Sequence, residues 1–298
     1  MTPLSFLSAP LPRLGIVLLL SLLVLAILLP IGILWINMHP VSPPATTSPS
    51  DFQLSFETLK LVTIDGVPVE AWLIPGDSGA GLVVMVHGLG ADKSSLLPLA
   101  RVVHRTGAHA LLVDLRNHGG SGPARTTFGL DEALDVTVAV EAAERRDEID
   151  RNRIVGYGLS MGAATVVSAL IRHPGLRGFF LDSPFDSLDA LFGDIAEHTY
   201  HLPRAAARLS LWAYRFLTGT PPTAISPASL LAQRPVPLVV VHGRRDERIP
   251  IERGQRLFQA ASGEKTFYET ESDHTLSWSD APEEYENRLE DFLRRTMR

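Results

Sequence analysis

The sequence predicts an α/β protein: a doubly wound, mostly parallel sheet with a helical cap insertion and one N-terminal transmembrane helix. Three observations carry that expectation. Short continuous apolar runs recur with helical stretches between them. A serine stands in a glycine-flanked turn between one such run and the helix after it. An uncharged stretch from Leu14 to Ile36 lies near the start of the chain. Apolar runs bounded by turns read as strands buried on both faces, and their alternation with helices reads as parallel pairing through right-handed crossovers.

Between Leu14 and Ile36 the residues are dominated by Ile, Leu and Val. At 1.5 Å per residue such a run covers the roughly 30 Å hydrocarbon core of a bilayer. A core helix would keep polar residues on one face. A cleaved signal has an apolar region of about 7 to 15 residues ending at a small-x-small site. This run is longer and gives way to Asn37-Met38-His39-Pro40, so it reads as an uncleaved anchor. Pro30 is expected to kink it, which lipid-embedded helices tolerate. Arg13 precedes the run and the next basic residue is Lys60. The positive-inside rule then makes residues 1–13 a cytoplasmic tail and places the catalytic domain outside the cytoplasm. Residues 37–51, Pro-, Ser- and Thr-rich from 40 to 50, are expected to be an extended linker that lifts the domain off the bilayer. A chain lacking residues 1–40 should then be soluble and active.

The remaining residues, 52–298, read as one domain. Alternating segments at Phe56–Ile64 and Val67–Ile74 flank Asp65-Gly66, a hairpin signal. Buried strands follow at Leu82–Val86, Ala110–Val113, Ile154–Tyr157, Gly178–Leu181 and Leu238–Val241. Helices are expected over Asp131–Arg146, Met161–His173, Glu252–Ala261 and Pro282–Arg295. Between strands, residues 184–234 form a longer helical insertion rich in Phe185, Leu188, Phe192, Trp212, Tyr214 and Phe216. Insertions of that length in compact domains usually carry function, and its place between two late strands suggests a cap over a site.

Composition narrows the chemistry. The 298 residues are 45% apolar and 20% charged, as in a folded chain, with a net charge of −6. That balance, without a long basic run, argues against a nucleic-acid partner. There is no cysteine, hence no thiolate nucleophile and no Cys-ligated zinc.

The strongest motif is Gly156-Tyr157-Gly158-Leu159-Ser160-Met161-Gly162. A serine on a strand-to-helix turn is held strained with its hydroxyl exposed, above a helix N-terminus that favours developing negative charge. Its hydroxyl needs a base and an orienting acid, in the chain order Ser, acid, His. Of the later histidines, His173 sits at a helix end, His198 and His201 lie in the insertion, and His242 ends a strand. His274, in the polar loop after the strand-like Thr266–Glu269, is the candidate base. Asp246, in the loop after Leu238–Val241, is the candidate acid, with Asp182 and Asp273 as rivals. The oxyanion hole needs the backbone N–H after the nucleophile, Met161, and a second donor from the loop His87-Gly88-Leu89-Gly90, taken as Leu89.

With these residues assembled, the chain resembles the α/β-hydrolase superfamily. His87–Gly90, Asp114-Leu115-Arg116-Asn117-His118-Gly119, Gly158–Gly162, Asp246 and His274 match its successive landmarks over nearly all residues after about 52. Among its branches the chain looks most like membrane-anchored abhydrolase-domain proteins and serine aminopeptidase-like bacterial hydrolases. Asn117 departs from the glycine of many relatives, but Asn tolerates a left-handed turn. The resemblance implies an esterase, lipase, thioesterase or peptidase with no cofactor, acting on a small-molecule acyl or lipid-like substrate. The alternative is a catalytically silent module that binds an acyl ligand.

Overall fold

The computed structural model describes residues 11–298 apart from 41, 43 and 44. The expected tail, residues 1–13, falls largely outside the described residues. Eight strands form one sheet: β1 (Glu57–Val62), β2 (Pro68–Ile74), β3 (Ala80–Val86), β4 (His109–Val113), β5 (Ile149–Leu159), β6 (Leu176–Asp182), β7 (Leu238–Gly243) and β8 (Lys265–Thr270). Their order is β1-β2-β4-β3-β5-β6-β7-β8. The first two strands pair antiparallel across Asp65-Gly66, with Val62 opposite Pro68, and β2 is also antiparallel to β4. From β4 to β8 every pairing is parallel.

The helices are α1 (Leu11–Met38), α2 (Leu97–Arg105), α3 (Glu132–Ala143), α4 (Met161–Leu170), α5 (Leu188–Asp194), α6 (Ala207–Thr218), α7 (Pro227–Leu231), α8 (Ile251–Ala260), α9 (Ser277–Asp280) and α10 (Pro282–Thr296). Alternate side chains of β3 enter opposite cores. Leu82, Val84 and Val86 face the core shared with α3, α4 and α8, whereas Val83 and Met85 face the one shared with α2 and α10. A strand so covered has no polar face, which is why β3, β4 and β7 appear in the sequence as unbroken apolar runs. The one crossover helix that the sequence does not delimit is α2. It follows a 3-10 turn, Lys93–Leu96, whose start Asp92 caps by accepting from the Ser94 N–H.

Residues 184–234 hold α5, a π-helical turn at Ile195–Thr199, α6 and α7, with short 3-10 turns between them. The insertion is tied to the domain by charge and hydrogen bonds. Buried Asp194 accepts from Arg253 of α8 at 2.5 and 3.0 Å, and the Tyr214 hydroxyl donates to the Thr127 carbonyl at 2.9 Å.

Helix α1 and described residues of the expected linker meet the domain at several points. Helix α1 continues through Met38, and Pro30, Leu34 and Met38, spaced by four, are buried against the domain. The Ser210 hydroxyl of α6 donates to the Pro30 carbonyl at 2.9 Å, and the Thr126 N–H donates to the Met38 carbonyl at 2.9 Å. Beyond the helix, Pro40 accepts from Asn117 Nδ2, and Ser42 bonds Ala91 and Gly119. Pro40 and Ser42, within the expected linker, thus lie against the domain. Burying Leu34 and Met38 stabilises that docking by roughly 1.5–3 kcal/mol each. Residues 1–40 include Pro30, Leu34 and Met38, so their removal takes these contacts from the domain.

Candidate active site

The site is assembled at the carboxyl ends of β3, β5, β6 and β7. The turn from β5 into α4 places Ser160 at φ 52° and ψ −116°, a region costly for a residue with a Cβ, on the order of 1–3 kcal/mol. Close packing over-determines it. A Cβ on Gly162 would collide with the Val86 and His87 carbonyls, and one on Gly158 with the Ala163 backbone. The Ser160 N–H donates to the Asp182 carbonyl at 2.9 Å, fastening the turn to β6.

Three distant side chains meet here. His274 Nε2 lies 2.9 Å from Ser160 Oγ, and His274 Nδ1 lies 2.7 Å from Asp246 Oδ2. With the carboxylate accepting from Nδ1–H, Nε2 is left to accept the serine proton. The other carboxylate oxygen of Asp246 accepts from the N–H groups of Arg248 and Ile249 at 3.1 and 2.8 Å. Burial would raise this carboxyl, but hydrogen bonds from His242 and His274 outweigh it and hold it at about 2. Asp246 is therefore an anion at neutral pH, as a group facing an imidazole that charges must be.

The rivals from the sequence fall elsewhere. Asp273 accepts from the N–H of its own neighbour His274 at 2.6 Å. His173 Nε2 pairs with Glu144 at 3.1 Å, and His198 pairs with Glu197 at 4.0 Å. His242 Nε2 lies 2.8 Å from the Ile249 carbonyl and 3.4 Å from Asp246, bracing the acid loop from below. Asp182 is buried at the end of β6. Its Oδ1 accepts from the Ser183 hydroxyl at 2.9 Å and its Oδ2 has no partner.

On the other side of Ser160, the His87–Gly90 turn is held by two histidines whose part the sequence leaves unread. His87 Nδ1 bonds the Gly88 carbonyl at 2.8 Å while Nε2 accepts from the Leu115 N–H at 3.1 Å. His118 Nδ1 bonds the Arg116 carbonyl at 2.8 Å and Nε2 accepts from the Gly90 N–H at 3.1 Å. Each ring donates once and accepts once, so each must be neutral. Burial lowers His87 to about 3 and also lowers His118. The signal available in the sequence was the pair His87-Gly88 and His118-Gly119, two His-Gly steps following consecutive strands. Asn117 adopts φ 63°, the left-handed turn expected of it. The turn packs against the nucleophile, for an added Cβ on Gly88 would stand 3.5 Å from Ser160 Cβ. Leu89 and Met161 line the same cavity of about 360 Å³ as Ser160 and His274, closed on the cap side by Phe185, Leu191 and Ile195. That volume suits a small-molecule ligand.

Residues 83–288 match the family described as "Alpha/beta hydrolase family". The chain belongs to it. Among curated relatives, an uncharacterized protein of Mycobacterium tuberculosis strain H37Rv is 31% identical over 207 residues, 69% of this chain and 67% of its own. The uncharacterized protein YqkD of Bacillus subtilis is 23% identical over 232 residues, 76% of each chain. Of solved structures, the esterase Pf2001 of Pyrococcus furiosus superposes with a TM-score of 0.72 at 24% identity, over 87% of this chain and 100% of its own. An acylaminoacyl peptidase of Pyrococcus horikoshii does so at 0.64 and 16% identity, over 82% of this chain and 42% of its own. These likenesses place the fold of this hydrolase-family chain among esterases and peptidases alike.

Proposed function

We propose that this chain is a membrane-anchored serine hydrolase cleaving an ester or related acyl bond through Ser160, His274 and Asp246. One observation carries the reading: an unbroken hydrogen-bonded line from Ser160 Oγ through both nitrogens of His274 to a buried, ionised Asp246, opening into a ligand-sized cavity. Ser160 Oγ attacks the acyl carbon while its proton passes to His274 Nε2. Asp246 stabilises the imidazolium, and the Leu89 and Met161 N–H groups bind the developing oxyanion. Collapse of the tetrahedral intermediate breaks the acyl bond, and the His274 proton goes to the leaving group. Water, deprotonated by the same histidine, then releases the acid and restores Ser160.

A fluorophosphonate probe tests this directly. It should label Ser160, and Ser160→Ala should abolish labelling. A folded protein that stays unlabelled would favour the reading of a silent acyl-binding module. A panel of p-nitrophenyl esters of differing chain length then defines the acyl group.

The anchor rests on Gly15–Met38, whose most apolar 18-residue stretch has a mean hydropathy of 3.1, long and apolar enough to cross a bilayer by length and composition. With Arg13 on one side and no basic residue until Lys60 on the other, the catalytic domain lies outside the cytoplasm. Protease added to spheroplasts should digest the domain while a cytoplasmic control survives; protection of both reverses the orientation.

A further inference from the structure

Helix α1 is exposed on all sides from Gly15 to Leu29 and docked on the domain only from Pro30 onward. From Leu14, the first residue after the Arg13 charge, to Leu29 the helix spans about 24 Å, short of the roughly 30 Å hydrocarbon core. A bilayer crossed by α1 must therefore extend along the docked turns as well. The outward aromatics agree with that depth. Trp35 is 53% exposed one turn beyond Ile31, its ring 4.1 Å from that of His39. On the neighbouring α6, Trp212 and Phe216 are 62% and 77% exposed and stacked at 5.8 Å. Such residues settle at the headgroup boundary.

At this same level α1 and the cap enclose a second cavity, walled by Pro30, Ile33 and Leu34 of the helix and by Phe192, Ile195 and Leu202 of the cap. The polar groups at its edge are already used: Ser210 Oγ donates to the Pro30 carbonyl and Asn37 Nδ2 to the Ile33 carbonyl, at 2.9 and 2.8 Å. What remains is an apolar slot. Asn37, Phe128, Ile195 and Tyr200 line both this slot and the Ser160 cavity, so the two are neighbours through shared walls. Phe128 stands at the junction with φ 60°, a conformation that a bulky side chain adopts only under constraint.

We infer that the slot between α1 and the cap receives the long acyl chain of a lipid-like ester drawn sideways from the bilayer, with its carbonyl at Ser160. The inference rests on the hydrolase reading above and gives it a substrate class. It also gives the membrane helix a second task, since α1 then forms one wall of the substrate site. The slot holds only about 30 Å³ as it stands, far below the roughly 300–1,000 Å³ of ligand sites. Seating a chain thus requires the half-buried side chains of Ile33, Ile195 and Leu202 to shift.

The test uses the full-length protein in lipid nanodiscs, assayed on p-nitrophenyl butyrate and p-nitrophenyl palmitate. Ile33→Trp, which fills the slot, should lower the palmitate-to-butyrate ratio of kcat/KM by at least about tenfold, as a changed fit of several methylenes does. An unchanged ratio overturns the proposal. Because that variant can fold poorly, wild-type protein is also treated with a hexadecyl fluorophosphonate carrying a mid-chain diazirine. Once attached to Ser160, the chain should photo-crosslink to residues 30–37 and 192–202. Crosslinks confined to Leu96, Leu99 and Trp278, on the opposite wall, sink the slot while leaving the hydrolase intact. No attachment to Ser160 sinks both. Palmitate ester placed in the enzyme's own disc should be cleaved faster than the same ester offered in enzyme-free discs, and equal rates overturn sideways access.

Discussion

Two carboxylates stand at the carboxyl ends of the neighbouring strands β6 and β7, and their surroundings drive them in opposite directions. Asp246 accepts from two backbone N–H groups and from His274, and is held at about 2. Asp182, fully buried, accepts from the Ser183 hydroxyl on Oδ1 and has no donor within hydrogen-bond distance of Oδ2 among the described residues, and burial outweighs the Tyr285 and Ser183 hydroxyls to raise its carboxyl above the ordinary value. Burial is common to both; the supply of donors is what differs. A carboxylate is therefore fitted to face a charging imidazole by the N–H groups aimed at it rather than by its depth.

The largest expected effect lies upstream of that contrast. Ser160→Ala and His274→Ala should each reduce kcat by roughly 10⁴ to 10⁶, and the double variant should be hardly worse than either, because the groups act as a unit. Additive losses in steady-state kinetics would break the triad reading. The contrast itself is tested next. Asp246→Asn should lower kcat by about 10⁴, as loss of the orienting carboxylate does in a serine protease. Asp182→Asn should cost less than about tenfold, because the Asp182 side chain bonds Ser183 and not His274. A reversal of those two results in well-folded protein would move the acid to β6.

Stability against pH separates the carboxylates a second way. A carboxyl lowered to about 2 contributes stability that is present above its unfolded value of 3.8 and lost as pH falls through 2. Denaturant titrations of Asp246→Asn should show a loss of about 2 kcal/mol at pH 7 that shrinks towards pH 2. The raised carboxyl of Asp182 has the opposite sign: the folded state holds its proton longer, so stability falls as pH rises above 3.8. Asp182→Asn should remove that fall and gain stability at pH 7 relative to pH 4. Equal pH profiles for the two variants would erase the comparison. His87 adds a pH-dependent background confined to acid. Its folded value of about 3 lies below the unfolded 6.5, so stability declines as pH falls from 6.5 towards 3. His87→Gln should flatten that slope by at most about 1.4 kcal/mol per pH unit; an unaltered slope would mean that another group titrates there.

Much of this site could be read along the chain because its parts are local. The Gly158–Gly162 turn announces itself through glycines that only close backbone approach requires. The strands of the parallel sheet are visible because burial on both faces leaves no polar alternation to blur them. Asp246 and His274 follow in the order that the chemistry demands, each in a loop after a late strand. The roles of His87 and His118 were not legible, since a histidine that donates once and accepts once inside a turn looks in sequence like any other.

What the sequence by itself determined, then, is the order of strand, turn and helix, a candidate serine in its turn, and a short roster of candidate partners for it. Only the tertiary structure sets Asp246 rather than Asp182 beside His274, because both end buried strands and only three-dimensional distance and donor count tell them apart. Only the structure joined α1 to the domain as well. A helix that is apolar all round gives no periodicity to separate a face turned to lipid from one turned to protein, so the burial of Pro30, Leu34 and Met38 left no mark in the pattern of residues. That docking is settled by the surface of the cap that α1 meets, a surface formed by residues far along the chain.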